Sequence, residues 1–190
     1  MSASTSAERS AHDILLATMV PGRSCGTCSM CCKVFRLPWV DPDKKANAWC
    51  KNCSPGKGCA VYDTRPEPCM SYYCQWMFTP QLGAEWRPDA AKFVLNISHD
   101  EFWLEVVADL ATPHVWRTEP YLSTLRATAA NRMEQGKGVL VRIGTRRFIL
   151  TPTEEIDMAA YPDNATFAMS KTQVGGRATY HVQVFANAAA

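Results

Sequence analysis

All nine cysteines of this 190-residue chain lie between residues 25 and 74, and the rest of the chain has none. They form three runs: Cys25-x2-Cys28-x2-Cys31-Cys32, then Cys50-x2-Cys53-x5-Cys59, then Cys69-x4-Cys74. Cysteines that served only as small core residues would be scattered along the whole sequence. Spacers of two residues instead let a reverse turn bring two sulfurs to one ion. The pattern therefore predicts that all nine cysteines are metal ligands.

A disulfide framework is the main alternative to a metal site. Nine is an odd number of cysteines, so full pairing would leave one thiol over. Residues 1–23 carry Glu8, Arg9 and Asp13 and do not resemble a secretory signal. No segment approaches the roughly 20 apolar residues that cross a bilayer, so we expect a cytoplasmic protein with no membrane association. In a reducing cytosol this spacing favours metal over disulfides, and free thiols are the remaining alternative.

The spacing is compatible with two kinds of metal centre. Cys25, Cys28 and Cys31 step by three, as in iron–sulfur proteins, while Cys50-x2-Cys53 resembles half of a zinc knuckle. Nine thiols exceed the four that one zinc ion or one [4Fe–4S] cluster requires. Two centres, or one centre with spare thiols, both remain open. Because the side chains of neighbouring residues diverge, Cys31 and Cys32 should not serve the same centre, and we expect Cys32 or Cys50 to be surplus.

The chain divides into three parts by composition. Residues 1–22 form an N-terminal lead with one short helix near 11–19. Residues 23–91 form a small irregular cysteine-cluster module with few apolar runs, so coordination is expected to supply much of its stability. Short helical turns are expected there at 65–77. Residues 92–190 have the periodic apolar patterns of an α+β domain.

The last part predicts an antiparallel sheet with one main helix. The helix is predicted at 120–135, followed by Gly136, and Glu154, Glu155 and Asp157 suggest the start of another. Three hairpins are predicted from paired apolar runs, two of them joined through Gly144-Thr145 and Gly175-Gly176. Their strands are 92–97 with 102–107, 139–143 with 147–150, and 165–171 with 178–185.

A nucleic-acid partner is not expected. The net charge of +2 argues neither for nor against a polyanionic partner, but no nucleic-acid motif is present. The cysteine region is locally basic, and cations near bound thiolates offset their negative charge. These cations are Lys33, Arg36, Lys44, Lys45, Lys51 and Lys57, with Arg65 in the same role. An apolar shell around the metal is expected from Trp39, Trp49, Tyr62, Tyr72, Tyr73, Trp76 and Phe78. His99 and His114 are the histidines that could complete a site from the second domain.

Several separated motifs resemble one family. The string Cys25-Gly26-Thr27-Cys28-Ser29-Met30-Cys31-Cys32 resembles the signature of the CxxCxxCC zinc- or iron-chelating proteins, called the YkgJ type. The second block, from Trp49-Cys50 through Gly58-Cys59 to Cys74-Gln75-Trp76, resembles the bacterial subgroup that carries both blocks. The likeness covers about residues 24–95. It implies a metal site and no particular reaction.

The sequence favours a cytoplasmic metalloprotein that holds an iron–sulfur cluster, with zinc a close second. Its role would be electron transfer, redox sensing or metal delivery to a protein partner. One alternative is a structural zinc module that supports a protein-interaction domain. Another is a metal-dependent enzyme, which would need an open coordination position. No residue is assigned a catalytic role, and the oligomeric state stays open.

Overall fold

The computed structural model describes residues 11–159, 161–162 and 165–185. Residues 1–10 of the N-terminal lead and residues 186–190 of the predicted α+β domain lie outside the described residues. The helices are α1 (Ala11–Ala17), α2 (Met30–Val34), α3 (Glu67–Met70), α4 (Pro88–Ala91) and α5 (Tyr121–Glu134). The strands are β1 (Cys53–Ser54), β2 (Gly58–Cys59), β3 (Phe93–Ile97), β4 (Trp103–Ala108), β5 (Gly138–Ile143), β6 (Arg146–Leu150), β7 (Glu155–Asp157), β8 (Thr166–Val174) and β9 (Arg177–Phe185). Single 3₁₀ turns lie at Tyr62–Thr64, Gln75–Met77, Ala84–Trp86 and Val115–Arg117.

The predicted α+β class is confirmed. Strands β3 to β7 form a five-stranded sheet in sequence order. The predicted hairpins β3–β4 and β5–β6 are antiparallel, whereas β4 and β5 pair in parallel. Helix α5 lies between β4 and β5 in the chain, and such a crossover is what lets consecutive strands run in the same direction. The sheet is therefore mixed, with one parallel pair among antiparallel ones.

The main core lies between α5 and one face of the sheet. Leu125 and Ala129 of α5 are buried against Val106 and Val141, which project from that face. Helix α5 begins and ends within one residue of the bounds predicted for it, 120 and 135. Gly136 follows with φ +70°, a backbone conformation that ends a helix without steric strain.

The C-terminal hairpin of β8 and β9 forms its own two-stranded sheet, as predicted for the third hairpin. It joins a second core in which Met133 and Met169 are buried with Ile149. The expectation of a helix start at Glu154, Glu155 and Asp157 is wrong. Residues 155–157 form strand β7, which pairs with β6 and completes the sheet edge.

The cysteine module docks on the sheet face opposite α5. Met30 and Val34 of α2 are buried against Val94 and Val107, which alternate with the strand residues that face α5. A salt bridge of 2.6 Å between Lys33 and Asp109 joins the two parts. Within the described ranges, no helix has the length and apolar character needed to cross a membrane.

Candidate metal centre

All nine predicted ligands are free thiols, and four of them surround one small cavity. The cavity has a volume of about 30 Å³, and its wall includes Tyr72 and Val94. We call its four thiols the first group; they are Cys25, Cys28, Cys31 and Cys74. This set combines Cys25, Cys28 and Cys31, which are spaced three residues apart, with Cys74, which is distant in the sequence.

Three local structures aim the first group at the cavity. The amide of Cys28 donates to the carbonyl of Cys25 at 2.8 Å, which closes a turn around their two side chains. Cys31 lies in the first turn of α2. Cys74 precedes the 3₁₀ turn at 75–77, and its carbonyl accepts from the Met77 amide at 2.9 Å.

Two arginines fasten the loops that carry these thiols. Arg87 donates to the carbonyl of Cys25 at 3.0 Å and to the Thr27 hydroxyl at 3.1 Å. Arg23 donates to the carbonyls of Thr79 at 2.9 Å and Leu82 at 2.5 Å, and its guanidinium lies 4.6 Å from the Trp76 ring centre. These contacts could not be predicted from the sequence, because a single arginine in a loop has no local pattern that indicates its partner.

Burial favours the protonated form of Cys28 and Cys74 in the absence of metal. It raises the pKa of Cys28, and with the charges of Cys25 and Cys28 it raises the pKa of Cys74 to about 11. A hydrogen bond with Cys32, together with burial, holds the pKa of Cys31 well above its usual value. A metal ion that binds here must displace these protons.

Tyr72 adds an unpaired polar group to the cavity wall. Its hydroxyl is buried and has no hydrogen-bond partner. Its ring packs edge-on against Phe35, with ring centres 5.3 Å apart. Burial, followed by the charge of Cys31, raises the pKa of Tyr72 well above its usual value, so it stays a proton donor. A buried donor without an acceptor costs about 1–3 kcal/mol, and a thiolate sulfur is the acceptor that this cavity offers.

The other five thiols form a second group on the outer side of α2: Cys32, Cys50, Cys53, Cys59 and Cys69. Strands β1 and β2 place Cys53 directly opposite Cys59. The Cys50 amide donates to the carbonyl of Cys32 at 3.1 Å, and the Cys53 amide donates to that of Cys50 at 3.0 Å. Cys32 shares a side-chain hydrogen bond with Cys53, and the charges of Cys32, Cys50 and Cys59 act on Cys69.

Cations lie against the second group. Lys44 is only 6% exposed, and its ammonium donates to the carbonyls of Lys33, at 3.0 Å, and Phe35. The hydrogen bond from Cys31 is the main cause that lowers the pKa of Cys32 to about 7, helped by Cys53 and by the charges of Lys44 and Arg65. Arg65 stacks on Tyr62, with its guanidinium 3.8 Å from the ring centre. Burial raises the pKa values of Cys53 and Cys69.

A glycine contact joins the loops of the two groups. Gly58 has φ +102°, and a Cβ there would lie 2.7 Å from the carbonyl oxygen of Gly26. That distance is shorter than any normal contact, so only glycine fits. The close approach holds Cys59 beside the turn of Cys25 and Cys28.

The donor chemistry fits a soft metal, but the sulfurs are not already arranged around an ion. Thiolates are the preferred ligands of zinc and of iron–sulfur clusters. Among the described residues, no three His, Cys, Asp or Glu side chains converge as ready ligands of one metal. Cys31 and Cys32 are hydrogen-bonded to each other instead. Metal binding therefore requires deprotonation and rotation of the cysteine side chains within each group.

Of the other residues predicted for the site, some line the cavity of the first group and others lie at the protein surface. Tyr72, Tyr73 and Trp76 line the cavity of the first group, as expected of an apolar shell. Trp39, Trp49 and Tyr62 are exposed, so that shell is incomplete on the outer side. The indole of Trp39 nevertheless donates to the Cys69 sulfur at 3.1 Å. His114 lies beside Arg117, with Nδ1 3.0 Å from the guanidinium, and His99 lies in the exposed turn between β3 and β4.

Comparison of the chain with protein-family models, with curated proteins and with solved structures finds no match in any of the three.

Proposed function

We propose that the first group binds an iron–sulfur cluster of the [4Fe–4S] type, and that the protein is a cytoplasmic metalloprotein with a redox role. The observation that carries the proposal is that Cys25, Cys28, Cys31 and Cys74 face one cavity. A C-x2-C-x2-C run completed by a distant cysteine is the ligand pattern of such clusters. The resemblance to the YkgJ-type proteins points in the same direction. A bound cluster would supply one-electron transfer.

The surroundings of the first group suit a shielded redox centre. Val94 and Met77 are buried in the cavity wall and exclude water. Arg87 holds the turn of Cys25 and Cys28 in place. The Tyr72 hydroxyl is free to donate to a ligand sulfur, and hydrogen bonds to sulfur tune the potential of iron–sulfur centres.

A zinc ion in the same position is the second candidate, because the four thiols at the cavity are also the complete ligand set of a structural zinc site. In that case the centre would be structural, and the sheet domain would serve a protein partner.

The test is the visible absorption, iron, sulfide and zinc content of the protein purified without oxygen. We expect broad visible absorption, with iron and sulfide in equal amounts. Cys28→Ser and Cys74→Ser should each abolish the absorption, while Thr27→Ser, in the same loop, should retain it. A colourless protein with zinc would favour the second candidate. Unchanged metal content in both cysteine variants would refute the assignment of the first group.

A further inference from the structure

The side chains of the two groups meet at Cys31 and Cys32, and their loops meet at Gly26 and Gly58. Cys31 and Cys32 are adjacent in α2, where successive side chains point about 100° apart around the axis. Cys31 faces the cavity with Cys28 and Cys74, whereas Cys32 hydrogen-bonds to Cys53 on the other side. Four thiols therefore line the cavity and five lie outside its wall, and the two sets of side chains meet at the hydrogen bond between Cys31 and Cys32.

The buried Lys44 requires an anion near the second group. A buried ammonium is costly unless it is paired with negative charge. Lys44 has no carboxylate partner among the described residues; its ammonium donates to two carbonyls at the end of α2. The thiols whose charges act on Lys44 are Cys50, Cys32, Cys31 and Cys53, three of them in the second group. The anion that fits this position is a set of thiolates, and bound metal is what keeps clustered thiolates ionised.

The local backbone of the second group suits a small tetrahedral site. Cys50-x2-Cys53 is a reverse turn closed by the hydrogen bond from the Cys53 amide to the Cys50 carbonyl. The two-residue strands β1 and β2 then return the chain so that Cys59 faces Cys53. A turn of this kind supplies two ligands of a zinc knuckle. Four thiolates satisfy one zinc ion and leave one of the five over, and the two cysteines expected to be surplus, Cys32 and Cys50, both belong to this group.

We propose that the nine thiols form two independent metal centres, and that the second group holds one zinc ion through four thiolates, with Lys44 as its buried counter-charge. The inference rests on the proposed function, since it takes the first group to be a metal centre. It adds a second site of a different kind. Zinc with four thiolates carries a net charge of −2, which Lys44 and the neighbouring Arg65 offset. The zinc would fasten the loops at 50–69 to α2 without any part in electron transfer.

The first test compares two double variants of the full chain, with iron, sulfide and zinc measured after purification without oxygen. Cys28→Ser/Cys74→Ser should lose the metal of the first group and keep about one zinc per chain. Cys53→Ser/Cys59→Ser should lose that zinc and keep the first centre. Loss of all metal from either variant would mean a single shared centre and would overturn the inference.

A second test does not depend on the folding of any cysteine variant. Metal-free wild-type protein is titrated with Co²⁺ alone, whose thiolate complexes absorb in the visible range. Two centres predict saturation at about two cobalt ions per chain, while saturation at about one contradicts them. A wild-type protein that takes up no metal of any kind would instead refute the proposed function itself.

Lys44 offers a separate check of the counter-charge. Lys44→Met should weaken zinc binding by about 10- to 100-fold, measured by competition with a chelator. Lys44→Arg keeps the charge and should recover part of that loss. The matched control is Lys92→Met, since Lys92 is exposed and lies outside the cysteine module, so its replacement should leave the affinity unchanged. Equal affinities for Lys44→Met and wild type would remove Lys44 from the site.

Discussion

The sheet domain and the cysteine module are built on different sources of stability. The domain buries large side chains completely, among them Phe93, Val106 and Trp116, between long strands and the 14-residue helix α5. The module has no regular element longer than the five residues of α2, and its hairpin strands have two residues each. Eight of its nine thiols are only partly buried. One part therefore holds its shape by packing, while the other is the part that the proposed metal would stabilise.

Removal of the metal should produce the largest difference in stability between the cysteine module and the sheet domain. Apparent binding free energies of structural zinc in small thiolate sites are about 10–16 kcal/mol, which exceeds what the short elements of the module can supply. We expect residues 24–80 to lose amide protection after chelation, while β5 and β6 keep theirs. Hydrogen exchange followed by mass spectrometry measures both regions in one sample. Equal loss of protection in both would show that the two regions are a single cooperative unit.

Trp116→Ala should act on the sheet domain through a core cavity. Trp116 is fully buried beside α5, and truncation of such a side chain costs about 3–5 kcal/mol. Urea unfolding monitored by circular dichroism should show the loss. Leu110→Ala is the control, because Leu110 is 55% exposed and its truncation should cost under about 0.5 kcal/mol. The metal content of the folded Trp116→Ala protein should stay at the wild-type value.

Gly58→Ala should disturb the module alone. The new Cβ would collide with the Gly26 carbonyl, which adds about 1–3 kcal/mol of overpacking to the strain of a positive φ. Gly56→Ala is a matched control, since Gly56 has φ +74° and no atom within 4 Å of the added Cβ. Faster metal release from Gly58→Ala than from Gly56→Ala, measured with a chelator, would confirm the contact between the loops. Identical rates would contradict it.

Acidification should release the metal of the first group before that of the second. Thiols must lose their protons to bind, so a raised pKa makes the proton a stronger competitor. The pKa of Cys74 is raised to about 11. In the second group the pKa of Cys32 is lowered to about 7, while burial raises those of Cys53 and Cys69 without the large shift of Cys74. As the pH falls, the stability that metal gives to the module is lost first around the cavity. A pH titration of visible absorption and bound zinc tests the order, and the reverse order would contradict it.

Local patterns predicted most of the sheet domain but not its long-range pairing. The glycines at 144 and 175–176 and the alternating apolar residues located two hairpins, because turn and strand signals lie within about ten residues. The parallel pairing of β4 with β5 joins strands on either side of α5, and nothing local encodes it. Glu154 and Glu155 suggested a helix start because acidic residues favour one, yet pairing with β6 decided the structure.

The thiols of the candidate site could be identified from the sequence, but their division into two groups could not. The expected divergence of Cys31 from Cys32 did not anticipate the hydrogen bond between their side chains. Which distant cysteine joins which turn depends on the three-dimensional path, and so the pairing of Cys74 with Cys25 needed the structure. The same holds for Lys44: the sequence predicted a cation near the thiolates, but of the six basic residues named, Lys33 pairs with Asp109 and Lys44 is buried.

The most direct measurement is the metal and sulfide content per chain of reduced wild-type protein purified without oxygen, combined with the reactivity of its thiols. We expect bound metal, with the thiols of both groups protected from alkylation until a chelator is added. A metal-free protein whose residues 24–80 remain compact and protected from hydrogen exchange would contradict it.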